Sequence, residues 1–334
     1  MRTLVISDLH LGARIGRDVL RRPQALEPLL AAVRAADRLV LLGDVVELLP
    51  GRGGGSLELA RPILRELGGA AGEIVYVPGN HDAALVRPWL RTNGVPAQVD
   101  AQVPLDATPL LAQVTKWLGP ASVSVRYPGA WLSERVWATH GHYLDRHLMP
   151  ESAFGLARGL LGRLPRDGAL PADYEQPGRP SLTGVEGWLA RVLPRPLAAL
   201  LEDIAELMRA ATMPSIPLRM LSRRHAPLTR LLLGAQMQRA SIPALARVVH
   251  RLGVEADWVV FGHVHRCGPL PGDDLEQWRG PSGRPRIANT GSWVYEPLLL
   301  HRAEPPHPYW PGGAIVIEDD GDPRAIGLLD DLAF

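Results

Sequence analysis

Five short segments set histidine, aspartate and asparagine beside glycine or within two residues of one another: Asp8-Leu9-His10, Gly43-Asp44, Gly79-Asn80-His81-Asp82, His140-Gly141-His142 and Gly262-His263-Val264-His265. Each follows a short apolar run that reads as a β-strand. In the densest of them, Pro78 and Gly79 end the run Ile74 to Val77 by removing a ladder donor and permitting a tight turn. The amide, imidazole and carboxylate that follow then gather at a strand's carboxyl end, where open α/β sheets place their ligands. Residues two apart in an extended chain project to the same side, so Asp8 with His10, and His263 with His265, can each address one cavity. For any one of these histidines alone, a hydrogen-bonded core position is the better reading. Five such segments in one chain favour metal ligands instead. Carboxylate, imidazole and amide oxygen suit divalent manganese, iron or zinc, and a pair of such ions serves hydrolysis.

The elements that must carry these residues alternate strand-like and helix-like, which is the βαβ signal. Strands are expected at Arg2 to Ser7, Arg38 to Leu42, Ile74 to Val77, Val123 to Tyr127, Arg135 to Thr139, Trp258 to Phe261, Arg286 to Thr290 and Ala314 to Glu318. Leu26, Leu29, Leu30 and Val33 mark one intervening helix, and Ile63, Leu64 and Leu67 another. Pro128-Gly129 separates two of the strands and suggests a second sheet. Gly51 to Ser56 is a glycine loop without the Gly-Lys-Ser/Thr ending of a phosphate cradle, so it reads as a mobile rim.

The strand-and-helix pattern breaks between about Tyr143 and Ala240, which divides the chain into a core at 1–142, an insert at 143–241 and a second part of the core at 242–334. The insert is helix-like: Leu197, Leu200, Leu201, Ile204, Leu207, Met208 and Ala211 share one helical face. A Pro- and Gly-rich connection, Pro165 to Pro180, divides it, and Arg219, Arg223, Arg224 and Arg230 cluster in its second half. An apolar face most often packs into a core and an arginine cluster most often faces solvent; a lid over the strand ends is the sharper reading of the same stretch.

The chain's 334 residues and 46% hydrophobic content can fill a substantial core. Its 36 basic and 35 acidic residues leave a formal charge of +1, so no global field draws it to nucleic acid or an anionic membrane. Lys116 is the only lysine, which reads as coding bias. Cys267 is the only cysteine, which excludes an intrachain disulfide and makes a reducing cytoplasm the expected location. Neither a signal-peptide core nor an apolar run near the ~20 residues of a bilayer span is present.

The ordered segments resemble the calcineurin-like metallophosphoesterase family, whose blocks are Asp-x-His, Gly-Asp-x-x-Asp/Glu, Gly-Asn-His-Asp/Glu, His-Gly and Gly-His-x-His. The resemblance spans about residues 1–95, 134–142 and 257–293, including Asn289-Thr290-Gly291-Ser292 as the turn after the last histidines. It implies a four-layer α/β/β/α sandwich of the α/β class, with the insert beside it. It also implies one metal held by Asp8, His10, Asp44 and His265 and a second by Asp44, Asn80, His140 and His263, with Asp44 bridging. Mn2+ is the expected metal, with iron or zinc as alternatives. Two divalent ions against Asp8, Asp44 and a shared hydroxide leave about one net positive charge for a phosphate. The implied activity is hydrolysis of a phosphoester or pyrophosphate by in-line attack of a metal-bridging hydroxide. His81, not a ligand in this pattern, would protonate the leaving oxygen or stabilise the transition state, with Asp82 setting its orientation. Glu47 would support the site without ligating. His142 fits an outer contact or a turn cap equally, and Arg14 fits an exposed loop better than a phosphate contact.

Substrate choice must come from the rim. The insert's placement and Ser7-Asp8-Leu9-His10-Leu11 are similar to the UDP-2,3-diacylglucosamine pyrophosphatases, which points to a lipid- or nucleotide-linked pyrophosphate. Against this, that branch carries arginine after the metal-binding asparagine, where this chain has His81. A phosphorylated small molecule or lipid-linked substrate is therefore expected, with peripheral membrane contact through the insert left open. A nuclease would want a broad basic face with stacking aromatics, which the near-neutral charge speaks against. A metal-binding scaffold without turnover commonly loses a ligand or the loop histidine, and none is missing here.

Overall fold

Runs rich in Val, Ile and Leu, too short for a helical period, build the centre of the molecule. The computed structural model describes residues 1–13, 16–49, 55–148, 165–175, 241–296, 300, 303–319 and 321–334. In it β1 (Arg2–Ile6), β2 (Arg38–Leu41), β3 (Glu73–Tyr76) and, beyond a short β4 (Ala101–Val103), β5 (Ser122–Tyr127) lie in one sheet. β1, β2, β3 and β5 pair in parallel, with Leu4 opposite Leu39 and Leu39 opposite Ile74. Their side chains divide with period two. Leu4, Ile6, Leu39, Leu41, Ile74 and Tyr76 enter one core, whereas Val5, Val40 and Val75 enter another. Burial on both faces explains why these strands read as continuous apolar runs.

β10 (Gly313–Glu318) and β11 (Arg324–Gly327) extend this sheet antiparallel from β1, and β4 closes its other edge, giving the order β11-β10-β1-β2-β3-β5-β4. A second sheet has the order β6-β7-β8-β9, formed by β6 (Gly129–Trp131), β7 (Val136–Thr139), β8 (Trp258–Phe261) and β9 (Arg286–Asn289). Val136, Ala138, Val260 and Ala288 meet Val5, Val40 and Val75 between the sheets. On the outer face of the large sheet lie α1 (Pro23–Arg34), α2 (Ser56–Ala70), α3 (Arg87–Asn93) and α4 (Pro109–Trp117), which bury Leu29, Leu64, Leu90 and Val114. Each leucine so buried contributes about 1.5–3 kcal/mol. On the outer face of the small sheet, Leu245, Val248 and Val249 of a helix over Ile242–Arg251 pack with Val259, Phe261 and Ile287. The result is the four-layer α/β/β/α sandwich.

The second sheet suggested by Pro128-Gly129 is present: Val123 to Tyr127 belongs to the large sheet, and at Pro128 the chain crosses into the hairpin of β6 and β7 in the small one. Other local expectations shift. Ser56 is not loop: it opens α2, and its hydroxyl donates to the Gly12 carbonyl at 3.3 Å. Within the span 143–241, α5 (Asp145–Leu148) and α6 (Pro171–Tyr174) are described. The Tyr174 ring stacks on Tyr143 with centroids 4.7 Å apart. The stripe from Leu197 to Ala211, the cluster from Arg219 to Arg230, Arg14 and residues 51–54 lie outside the described residues. Among the described residues no helix is long and apolar enough to cross a membrane.

Parallel pairing of β1, β2 and β3, and of β7, β8 and β9, brings strand ends of both sheets to one edge of the sandwich. Backbone hydrogen bonds continue the pairing past the strands: Asp8 N–H donates to Gly43 C=O at 3.0 Å, and Gly262 N–H to His140 C=O at 3.0 Å. The two sheets meet where His263 N–H donates to Asp8 Oδ2 at 2.9 Å.

Candidate metal centre

The chain beyond the strand ends is not extended. Asp8, His10, Asp44, His263 and His265 all have left-handed backbone, with φ of 54°, 44°, 53°, 68° and 58°. The extended spacing expected for Asp8 with His10, and for His263 with His265, is therefore not what brings them together. Each left-handed residue breaks strand alternation at a cost of roughly 1–3 kcal/mol, and such strain collects at functional sites. Glycines let the backbones close in around it. A Cβ at Gly79 would collide with Asp44 Oδ1 and lie 2.8 Å from His140 Cδ2; one at Gly262 would collide with Ser7 Oγ.

Asp44 sits at the centre. Its Oδ1 accepts from the His81 backbone N–H at 2.8 Å. Its Oδ2 lies 3.2 Å from His140 Nε2 and 3.9 Å from both His10 Nε2 and His81 Nε2. Asp8 Oδ2 is held by its neighbour Ser7 and by the His263 backbone, while Oδ1 lies 3.3 Å from His265 Nε2 and 3.8 Å from His10 Nε2. Asn80 Oδ1 is 3.1 Å from His140 Nε2. Three trios have ligand atoms within 4.8 Å of one another and could each hold a metal ion: Asp8, His10 and His265; His10, Asp44 and His81; Asp44, His140 and His263. Asp44 belongs to two of them and His10 to two.

The imidazoles are oriented from behind. Leu42 C=O can only accept, so the 3.0 Å contact to His140 Nδ1 keeps a proton there and turns Nε2 inward toward Asp44, where a metal ion would take the place of the second ring proton. His10 Nδ1 lies 3.2 Å and His81 Nδ1 2.7 Å from the same carboxylate oxygen, Glu47 Oε2, so both present Nε2 inward. Metal-binding histidines are typically held this way. The fit to a metal shows also in what is left over: Asp8 Oδ1 and His10 Nε2 are buried with no hydrogen-bond partner. Two hard-to-bury groups facing each other without a partner are what a cation between them would satisfy.

The charges respond to one another strongly. Burial acts to raise the Asp8 carboxyl, but the imidazoles of His10 and His265 outweigh it and hold it well below the usual range. Burial is likewise outweighed at Asp44 by His140 and His81, and at Glu47 by His81 and His10. Burial acts to lower His140, but the Asp44 carboxylate pushes it up to about 9; His10 is raised against burial by Asp8 and Glu47. Cations binding here would displace protons from His140 and His10.

Asp82 does not hold the His81 ring. Its Oδ1 accepts from Gly79 N–H at 2.6 Å, and its Oδ2 from Val45 N–H at 2.9 Å and the Tyr76 hydroxyl at 2.6 Å. It ties the Gly79 turn to the Asp44 turn, and burial with the Asp44 charge raises its carboxyl. Glu47 takes the orienting position assigned to Asp82. Asn289 and Thr290 buttress the last loop: Asn289 Nδ2 donates to Gly262 C=O at 2.7 Å, and Thr290 N–H to Phe261 C=O at 2.9 Å. His142 opens a 3-10 turn, with its ring 5.6 Å from that of His140 and its Nε2 3.5 Å from Glu175 Oε1. The Tyr127 hydroxyl also donates to Glu175. Sequence reasoning missed Glu175 and Asp145, whose Oδ1 lies 2.9 Å from His263 Nε2. Neither sits in a motif or at a recognisable spacing; only the fold brings them here.

No curated protein matches the chain. Among solved structures it is similar to the crystal structure of phosphopantetheinyl hydrolase (PptH) from Mycobacterium tuberculosis, at 19% identity over 91% of this chain and 93% of that one, with a TM-score of 0.37. The family profile described as calcineurin-like phosphoesterase matches residues 1–267. The chain therefore belongs to the calcineurin-like phosphoesterase family and is a phosphoester-hydrolysing enzyme.

Proposed function

We propose that the chain hydrolyses a phosphoester or pyrophosphate bond at a pair of divalent ions, with Asp8, His10, Asp44 and His265 holding one and Asp44, Asn80, His140 and His263 the other. The observation that carries this reading is the Asp44 carboxylate, whose Oδ2 stands between the two ligand sets at 3.9 Å from His10 Nε2 and 3.2 Å from His140 Nε2, beside the unpartnered Asp8 Oδ1 and His10 Nε2. The all nitrogen and oxygen donor set suits manganese, which we take as the native metal. Bound there, the ions would lower the pKa of a water and neutralise the oxygens of the phosphoryl group.

The chain's own residues then have distinct work. Asp8 and Asp44 supply negative charge in a buried setting, and Asn80 adds a neutral oxygen that leaves the centre attractive to an anion. His81 is a general acid: its Nδ1 proton is held by Glu47, so Nε2 faces the cavity 3.9 Å from Asp44 Oδ2. From there it can pass a proton to the oxygen leaving phosphorus, which removes the cost of expelling an alkoxide or phosphate anion.

The test is hydrolysis of a chromogenic phosphodiester beside the matching monoester, by manganese-loaded protein and by Asp44→Asn. Turnover in the wild type and none in the variant supports the reading. A wild type that carries two ions and turns over neither ester, nor a dinucleotide pyrophosphate, would refute it. The preferred ester, or the pyrophosphate, then names the bond class.

A further inference from the structure

His263 differs from His10, His81 and His140 in which nitrogen is held from behind. For His10 and His140 the outer partner takes Nδ1, and Nε2 turns inward. For His263 the partner takes Nε2: Asp145 Oδ1 lies 2.9 Å away. A carboxylate is an acceptor only, so this contact places the proton on Nε2 and leaves the lone pair on Nδ1. The His263 backbone is fixed independently, by its N–H on Asp8 Oδ2 and by left-handed φ. The peptide unit is thus set by one carboxylate and the ring by another.

We infer that Asp145 is a positioning residue for the second metal, selecting the His263 tautomer whose Nδ1 can ligate. The inference rests on the functional reading above, in which His263 is a ligand. Asp145 is the first residue of α5, so it comes from the opening of the segment that separates the His140 block from the His263 block. That segment's other described piece is tied to the same side of the site, through Glu175 on His142 and Tyr174 on Tyr143. The segment is therefore more than an appendage: it supplies the carboxylate behind a metal ligand. Because the Asp145 side chain is 52% exposed, water competes with the contact and its effect should fall toward the lower end of the roughly 10–100-fold typical of such partners.

The test titrates manganese into the metal-stripped full chain by calorimetry, with thermal unfolding recorded as a check of folding. Wild type takes up two ions. Asp145→Ala keeps one affinity and loses about tenfold in the other; Asp145→Asn, whose amide oxygen can still accept from Nε2–H, loses less. Unchanged affinity at both sites in a folded Asp145→Ala protein overturns the inference, whereas a wild type that takes up no pair of ions overturns the functional reading instead. Should Asp145→Ala fail to fold, nitrogen shifts of isotope-labelled histidine in the wild type decide: a proton on His263 Nε2 supports the inference and one on Nδ1 overturns it.

Discussion

Glu47→Gln separates the role of Glu47 from that of Asp82. Glu47 is buried, and its Oε2 serves two imidazoles, His81 Nδ1 at 2.7 Å and His10 Nδ1 at 3.2 Å, while Oε1 accepts from Leu49 N–H at 3.2 Å. Glutamine has the same shape but only one accepting oxygen. If that oxygen stays on the two imidazoles, its NH2 faces the Leu49 N–H, donor against donor; if it turns to Leu49, the imidazoles meet an NH2. A hydrogen bond to a charged group is worth about 1.5–3 kcal/mol. Losing the one on His81 removes that much from the alignment of the proposed general acid, which at 1.36 kcal/mol per tenfold is roughly 10- to 150-fold in kcat. The assay is steady-state hydrolysis of the preferred ester at saturating manganese, with metal content measured on the same preparation. We expect kcat to fall by this factor with KM nearly unchanged and both ions retained. Asp82→Asn should instead lower the unfolding temperature, because it loosens the Gly79 and Asp44 turns, and should leave kcat far less affected. A Glu47→Gln enzyme with wild-type kcat and full metal content would refute the reasoning, and would return the orienting role to another group.

Gly79→Ala forces a Cβ against Asp44 Oδ1 and His140 Cδ2; it should cost about 1–3 kcal/mol, seen as a lower denaturant midpoint, together with weaker metal uptake. Leu64→Ala on α2 should cost about 2–5 kcal/mol in stability without changing KM, since Leu64 is buried against the large sheet and away from the metal centre. In the metal-free protein, His140 has a folded pKa raised to about 9 from 6.5. Its contribution to stability is fully present below about 6.5 and is lost as pH rises toward 9. The metal-free unfolding temperature should therefore fall across that window, and manganese affinity should rise over the same range because fewer protons compete; a flat manganese affinity from pH 6.5 to 9 would contradict this.

The residues that converge on the candidate metal centre were legible and most of what holds them was not, and the two halves differ physically. Asp8, Asp44, Asn80, His140 and His263 announce themselves because polar side chains directly after apolar strands have no core role, and parallel strands must end on one edge. Strand bounds followed from the same apolar runs, to within a residue at β1, β2 and β8. What escaped was of two kinds. β4 (Ala-Gln-Val), β6 (Gly-Ala-Trp) and β11 (Arg-Ala-Ile-Gly) lack the continuous run of Val, Ile and Leu that marks strands such as β1 and β2. The holders escaped because a carboxylate becomes an orienting group only through a partner far along the chain: Glu47 is 34 residues from His81, and Asp145 is 118 from His263. Asp82, adjacent to His81, was the natural guess by sequence distance, yet adjacent residues rarely present their side chains to each other, and its oxygens are consumed by Gly79, Val45 and Tyr76. The spacing of Asp8 with His10 shows the same limit from the other side. The convergence was right and the reason was wrong, because extended backbone and left-handed backbone are both compatible with residues two apart, and only the second admits the tight turns that let Gly262 press against Ser7. Left-handed aspartate and histidine are costly wherever they occur, so their concentration at five of the seven proposed ligands is itself an argument for function: nothing in the packing of the sheets requires it, and a buried cation holding those side chains is what would offset it.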